Sequence, residues 1–251
     1  MTVLDVLSPR TRRRHAHVTK PPTLVHIDRA TRLNEDKVPV FSDLSLRIRA
    51  GQRWVLFCKE QEAITALLQC LAGLQQPEQG AVTIRGHVSW PLGQVAGVSN
   101  KLSCAENCRF LAGIYGQRGQ INQDLALVEE LMALQREQWL RPLVKLPGAV
   151  KTRLKLALSL AFDFDLYLID ASGLQHFRRT PLWTDTWQGL LEQRLRTRAV
   201  LSAGLIPMEV GGAGAKGLVL VKGQLVKKGS LAECQDYWTG QLDPGNHGPR
   251  G

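Results

Sequence analysis

The chain has 251 residues, enough for one large domain or one domain with a small lobe. Hydrophobic residues make up 44% and charged residues 22%, an ordinary balance for a soluble globular protein, and no apolar run approaches the ~18–20 residues needed to span a bilayer. The formal net charge of +10 calls for an anionic neighbour, either a membrane surface, nucleic acid or an acidic protein. No RNA-binding aromatic motif or zinc-finger spacing accompanies the charge, which argues against nucleic acid.

The first 22 residues read as a flexible basic arm, with Arg10, Arg12, Arg13, Arg14 and Lys20 ahead of Pro21 and Pro22. Such an arm is either a solvated tail or a tether to anionic lipid, worth about 1 kcal/mol per basic residue near the surface. It has no apolar core of a secretory signal, and the cytosol is the expected compartment. The five cysteines, Cys58, Cys70, Cys104, Cys108 and Cys234, are odd in number and lack metal-ligand spacing, so they read as free thiols.

From Thr23 the pattern changes. TLVHIDRA is a strand, and Phe41, Leu44, Leu46 and Ile48 alternate with polar partners in a second strand that Gly51 ends. Trp54 to Phe57 is a short apolar strand, and the TALLQCLAGL pattern after it is a helix closed by Gly73. Pro77 to Gly80 is a turn and AVTIRG another strand. Strand, loop and helix in this order are where phosphate loops live. Ser103 followed by Glu106 predicts a capping box and a helix from Cys104 to Tyr115. Ile121 to Trp139 reads as a further helix, and LPGAV, Leu146 to Val150, opens a long one that runs into the strand LYLID. Trp183 to Arg196 is helical, Ala199 to Ser202 a strand, and LVLVKGQLVKKGS a hairpin beyond the glycine-rich Gly211 to Gly217. Residues 239–251 read as a loose tail.

Several of these segments, AGQRWVLF, ALLQCLAGL, VSWPLG…LSCAENCRFLAGIYG and LALSLAFDFDLYLID, together resemble the ATP-binding subunits of ABC-2 type exporters of capsular and other surface polysaccharides. The resemblance covers roughly residues 23–238. It implies an α/β fold, an ABC-type nucleotide-binding domain with a RecA-like core, flanking β-sheet and a helical lobe at about 97–162.

The chemistry of that family is missing at the matching positions. A phosphate loop needs G-x-x-x-x-G-K-[ST], so that backbone N–H groups converge on phosphate, lysine reaches the β/γ oxygens and the hydroxyl holds Mg²⁺. Here the stretch is Cys58-Lys59-Glu60-Gln61-Glu62-Ala63-Ile64-Thr65; Ile64 stands for the lysine and only Thr65 is retained. Glu60 and Glu62 add negative charge where a triphosphate would sit. Two unit charges ~5 Å apart at an effective dielectric of ~20 repel by about 3 kcal/mol. Lys59 could offset part of this.

The adenine-stacking position falls near Thr31, the γ-phosphate-sensing glutamine near Ser99, and the signature serine at Pro147. The catalytic glutamate falls at Ala171 and the switch histidine at Ala203, while the metal-positioning aspartate, Asp170, is kept. Proline supplies neither hydroxyl nor N–H. The resemblance thus implies vestigial Thr65 and Asp170, no ATP or Mg²⁺ cofactor, and a degenerate subunit that scaffolds or regulates a surface-polysaccharide export or synthesis complex. The alternatives are a working export ATPase, which would need ATP and Mg²⁺, and an adaptor outside transport.

In the family the Trp90–Tyr115 segment borders the groove for a permease's coupling helix. Singly, Trp90 and Phe110 read as core aromatics; the segment as a whole reads as a kept docking surface, with Trp90, Ser99, Asn100, Lys101 and Leu102 as its candidates. The implied partners are an integral membrane permease or glycan-synthesis complex, a second ABC-type subunit in a homodimer or heterodimer, and the anionic inner face of the cell membrane. His26, His87 and His176 lack partners at ligand spacing and read as structural.

Overall fold

The structure, a computed structural model, describes residues 20–180, 183–204 and 214–242. The basic cluster Arg10–Arg14 and the first three residues of the glycine-rich link, 211–213, lie outside the described residues, as do residues 243–251. Among the described residues no helix is long and apolar enough to cross a membrane.

Two sheets frame the molecule. Strands β1 (Thr23–Leu33) and β2 (Pro39–Arg49) pair antiparallel, and β4 (Gln79–Ile84) pairs with the other side of β1. Val25, Ile27, Leu44, Leu46 and Ile48 point inward, as their alternation requires, and Phe41 joins them across a register shift at which Asp43 takes φ 47°. Gly80 lies at φ +76°, and a Cβ there would fall 2.3 Å from the Arg29 carbonyl oxygen. Only glycine fits this approach, so the strand starts at Gln79, inside the expected turn. The last residues of the expected arm are fastened down: Pro21 and Pro22 accept from the Arg49 guanidinium and the Ala50 N–H at 3.1 and 2.9 Å.

The second sheet has the order β5-β6-β7-β3-β8-β9. Its strands are β3 (Arg53–Phe57), β5 (Val88–Pro91), β6 (Leu166–Asp170), β7 (Ala199–Ala203), β8 (Lys216–Val221) and β9 (Gln224–Ser230). The first five in spatial order run parallel, and β9 returns antiparallel from β8. β6 and β7 are buried at every residue, the signature of a parallel strand covered on both faces. β5 carries no alternation signal and was not foreseen.

Helix α1 (Gln61–Leu71) packs Ile64, Leu67, Leu68 and Leu71 into a core shared by the two sheets. Between β5 and β6 come α2 (Cys104–Tyr115), α3 (Ile121–Met132), α4 (Arg136–Leu140), a short 3-10 turn (Leu143–Lys145) and α5 (Gly148–Ala161). The capping box at α2 forms: the Glu106 N–H donates to Ser103 Oγ at 3.2 Å, and the Ser103 N–H donates to Glu106 Oε2 at 2.8 Å. The single helix expected over Ile121–Trp139 is two helices, because Ala133 takes a left-handed φ of 46° and ends α3.

Helices α6 (Ala171–Arg178), α7 (Asp185–Thr197) and α8 (Leu231–Leu242) complete the chain. α7 starts two residues later than read from the sequence. α8 continues through Leu242, so the loose tail does not begin at residue 239.

Trp90 anchors the core between sheet and helices. It is 1% exposed, donates its indole N–H to Ser159 Oγ at 2.7 Å, and meets Tyr115 edge-on at 4.5 Å and Phe164 at 5.4 Å. Such aromatic pairs contribute about 0.5–1.5 kcal/mol beyond area burial.

Candidate functional site

The parallel strands end together at one edge of the sheet, the place where open α/β folds bind ligands. Register sets the members: Asp170 at the end of β6 pairs with Ala203 at the end of β7, and Ala203 pairs with Leu56, one residue before the end of β3. The loop after β3 therefore faces Asp170. The sequence brings the phosphate-loop stretch, Asp170, Ala171 and Ala203 to one edge. Ser99 and Pro147 belong instead to the helical segment between β5 and β6.

The loop itself is short. Only Cys58, Lys59 and Glu60 separate β3 from α1. Glu62, Ala63, Ile64 and Thr65, which a phosphate loop would spend partly on its cradle, are helical here, and the Ile64 N–H donates to the Glu60 carbonyl at 3.1 Å. The two positions that need glycine carry side chains, and Ile64, 8% exposed, packs into the core.

The polar atoms at the edge bind one another. Gln61 reaches across to donate from Nε2 to Asp170 Oδ2 at 3.2 Å. The other oxygen of Asp170 accepts from the N–H and hydroxyl of Ser172 at 3.1 and 2.6 Å. Asp170 is thus the N-cap of α6, a structural role the sequence reading did not assign. Glu60 accepts from the Cys58 thiol at 3.2 Å and from the Lys222 N–H at 3.2 Å. Partial burial works against its charge, but the thiol and the backbone N–H groups together hold its carboxyl below the ordinary value. Burial, reinforced by Glu60, pushes the Cys58 thiol up to about 12. Lys59 turns to the Trp238 ring of α8, 5.9 Å from its centroid, and Phe57 stacks on the same ring at 6.0 Å.

Beside α1 lies an open cleft of about 730 Å³. Glu35, Asp36, Glu62 and Glu78 line it against Arg32 and Lys37, with Thr65 on its wall. Arg32 is paired with Glu78. The Thr31 hydroxyl accepts from the Asp43 N–H at 3.1 Å.

On the helical segment, the Ser99 N–H donates to Asn107 Oδ1 at 2.8 Å. The carbonyls of Asn100 and Leu102 accept from Val144 and Leu143 at 2.8 and 2.9 Å. Asn100 and Lys101 are exposed, so this rigid loop presents side chains outward. Trp90 does not: its burial corrects its placement among docking residues, and it can shape the face only from within. Phe110 and Ile114, one turn apart on α2, are 51% and 57% exposed, against the core reading of Phe110. Their positions fall off the stripe Cys104, Cys108, Leu111, Ala112, a signal the sequence did hold. Pro147 is exposed at the N-terminus of α5 and makes no side-chain cap.

No protein-family model matches the chain. The polysialic acid transport ATP-binding protein KpsT of Escherichia coli is 30% identical over 131 residues, 52% of this chain and 59% of that protein. The cytochrome c biogenesis ATP-binding export protein CcmA of Xanthomonas axonopodis pv. citri is 32% identical over 151 residues, 49% of this chain and 70% of that protein. The chain spans about 59% of the length of the polysaccharide relatives. Among solved structures, the ATP-binding subunit of an ABC transporter superposes with a TM-score of 0.64 at 17% identity, covering 88% of this chain and 99% of that one. A dimeric ATP-binding cassette bound to ADP and Pi gives 0.59 at 16% identity, covering 83% and 99%. These structures share the fold, an ABC-type nucleotide-binding domain with a mixed α/β sheet.

Proposed function

The chain belongs to the ATP-binding subunits of the ABC family, and on that premise we propose that it is a pseudo-ATPase, a cassette that scaffolds or regulates a surface-polysaccharide export or synthesis complex without hydrolysing ATP. The observation that carries this reading is the bond from Gln61 to Asp170. The side chains at this edge do not fit a magnesium–triphosphate. Both Asp170 oxygens are engaged by the protein itself, the lysine position is a buried isoleucine, and Lys59 is drawn away toward Trp238. The neighbouring cleft carries more carboxylate than cation. A polyanion would enter it against the field.

The polysaccharide context comes from the names of relatives, which include a capsule polysaccharide export ATP-binding protein of Neisseria meningitidis, 29% identical over 131 residues. On this reading the partner is an integral membrane permease or glycan-synthesis complex at the inner face of the cell membrane. The contact is the rigid Ser99–Leu102 loop with Phe110 and Ile114 beside it. A second ABC-type subunit could pair through the sheet edge.

Titration calorimetry of the purified chain with Mg-ATP tests the proposal. The expected result is no saturable heat below millimolar nucleotide and no phosphate release. Micromolar affinity with turnover abolished by Asp170→Asn overturns it in favour of a working ATPase with divergent motifs. Absence of nucleotide binding together with absence of any co-purifying permease favours an adaptor outside transport.

A further inference from the structure

A second feature lies at the opposite end of the same sheet. β3 and β8 run parallel with Trp54 beside Lys216, and β8 and β9 run antiparallel with Lys216 beside Ser230 and Leu218 beside Lys228. Register therefore puts Trp54, Lys216 and Ser230 in one row across three strands, with Lys228 as the diagonal neighbour of Lys216 on the same face. This row begins β3, whereas Asp170 and Ala203 stand where their strands end.

The two ammonium groups share one aromatic ring. Lys216 Nζ lies 5.2 Å from the Trp54 ring centroid and Lys228 Nζ lies 5.7 Å from it. The indole is 2% exposed, so it is a floor for the lysine stems and not itself a ligand contact. A pocket of about 380 Å³ opens here, lined by Trp54, Gly214, Ala215, Lys216, Lys228 and Ser230 among others.

Among the described residues that line this pocket, the charged ones are both lysines. Burial, then Lys216 and Arg47, lower the proton affinity of Lys228. Arg47 is within reach of His26 at 3.3 Å and forms no ion pair among the described residues. Neither lysine has a carboxylate partner among the described residues. Glu233 stands next to Ser230, but its carboxylate accepts from the Ser230 hydroxyl and N–H at 2.7 and 2.9 Å at the start of α8, and these bonds, with Lys227 nearby, hold it below its ordinary value. Like charges on diagonal neighbours repel, and the indole face lowers their energy without neutralising them.

We propose that Lys216, Lys228 and the adjoining Arg47 form a binding site for a phosphate-bearing ligand, distinct from the nucleotide-type edge of the sheet. A phosphate group offers three acceptor oxygens and up to two negative charges, which matches paired ammonium donors better than a single carboxylate does. The source of that phosphate is a lipid headgroup or a soluble phosphate monoester, the chemistry at the lysines being the same for both. The site stands apart from the pseudo-ATPase reading, because Trp54 and Lys216 lie where β3 and β8 start, and the loop in question follows the other end of β3.

The test uses the full chain with two probes at matched ionic strength: glycerol 1-phosphate in solution, and vesicles of phosphatidylglycerol against phosphatidylcholine. Binding is read by titration calorimetry and by vesicle co-sedimentation. Saturable binding to either phosphate probe, weakened at least tenfold in Lys216→Gln/Lys228→Gln and unchanged in Lys227→Gln, supports the site. Binding to the soluble probe identifies a soluble ligand, and binding confined to phosphatidylglycerol vesicles identifies a headgroup. The double variant is also expected to melt higher than wild type in phosphate-free buffer, since it relieves repulsion, which shows that it folds. Equal binding by wild type and the double variant, or no saturable binding to either probe, overturns the proposal. Mg-ATP binding that ignores the double variant would count against the pseudo-ATPase reading alone.

Discussion

A side chain begun on Gly204 would place its Cβ 3.1 Å from the Cβ of Ala171. The two backbones close on each other where a hydrolytic site would hold its base, and Ala171 is 4% exposed. Restoring the missing acid should therefore harm the protein without giving it chemistry. Ala171→Glu is expected to lose about 1–3 kcal/mol of stability by urea denaturation, the range for burying an unpaired polar group. It should release no phosphate from Mg-ATP, since groups that act as a unit do not contribute singly. Magnesium-dependent turnover in this variant would refute the reading of the edge.

Asp170 separates a structural from a metal-binding role. As the N-cap of α6 it accepts from Ser172, and asparagine can keep that acceptor. Asp170→Ala should cost about 1 kcal/mol and Asp170→Asn much less, compared by thermal denaturation. A residue needed for metal would lose function equally in both, so function in cells that falls after each change only in proportion to lost stability, little for Asp170→Asn and more for Asp170→Ala, fits the cap.

Glu60 gives a pH signature. Its folded carboxyl lies below the ordinary value, so its contribution is present above the unfolded value and is lost as pH falls through the folded one. Urea midpoints measured from pH 6 downward should fall less steeply for Glu60→Gln than for wild type. A steeper acid limb in the variant would contradict the arrangement of Cys58, Lys222 and Glu60.

The proposed docking face is tested by charge reversal at Lys101 and charge insertion at Phe110, both exposed. Lys101→Glu and Phe110→Asp should leave the melting temperature within a few degrees of wild type and abolish complementation of glycan export. Thr65→Ala should complement normally. The opposite pattern, with Thr65→Ala dead and both surface variants active, would return attention to nucleotide chemistry.

Local pattern made the scaffold readable. Alternation at Leu44, Leu46 and Ile48, the Ser103 and Glu106 spacing, and the apolar run into Asp170 each act within a few residues, and all three formed as expected. What stayed hidden depends on distant partners. Gln61 and Asp170 are 109 residues apart, and no local rule links them. Lys59 reads as a free cation until α8 brings Trp238 above it. Trp90, a core aromatic when read singly, is buried, and it joined the docking candidates only with its segment, because a segment can border a surface while its largest side chain points inward. The break at Ala133 has neither glycine nor proline to announce it, and the leucine spacing on both sides reads as one helix.

The raised Cys58 thiol turns the loop after β3 into its own clock. A thiol held up to about 12 is almost wholly protonated at neutral pH and reacts slowly with alkylating reagents while the loop is closed. Each excursion that frees it from Glu60 and exposes it returns ordinary reactivity, so its labelling rate counts openings of that loop. The other four cysteines are buried, at 1% exposure or less, and lag behind it in a native labelling experiment. The contact between Cys58 and Glu60 thereby supplies a native label by which opening at this end of the sheet can be timed.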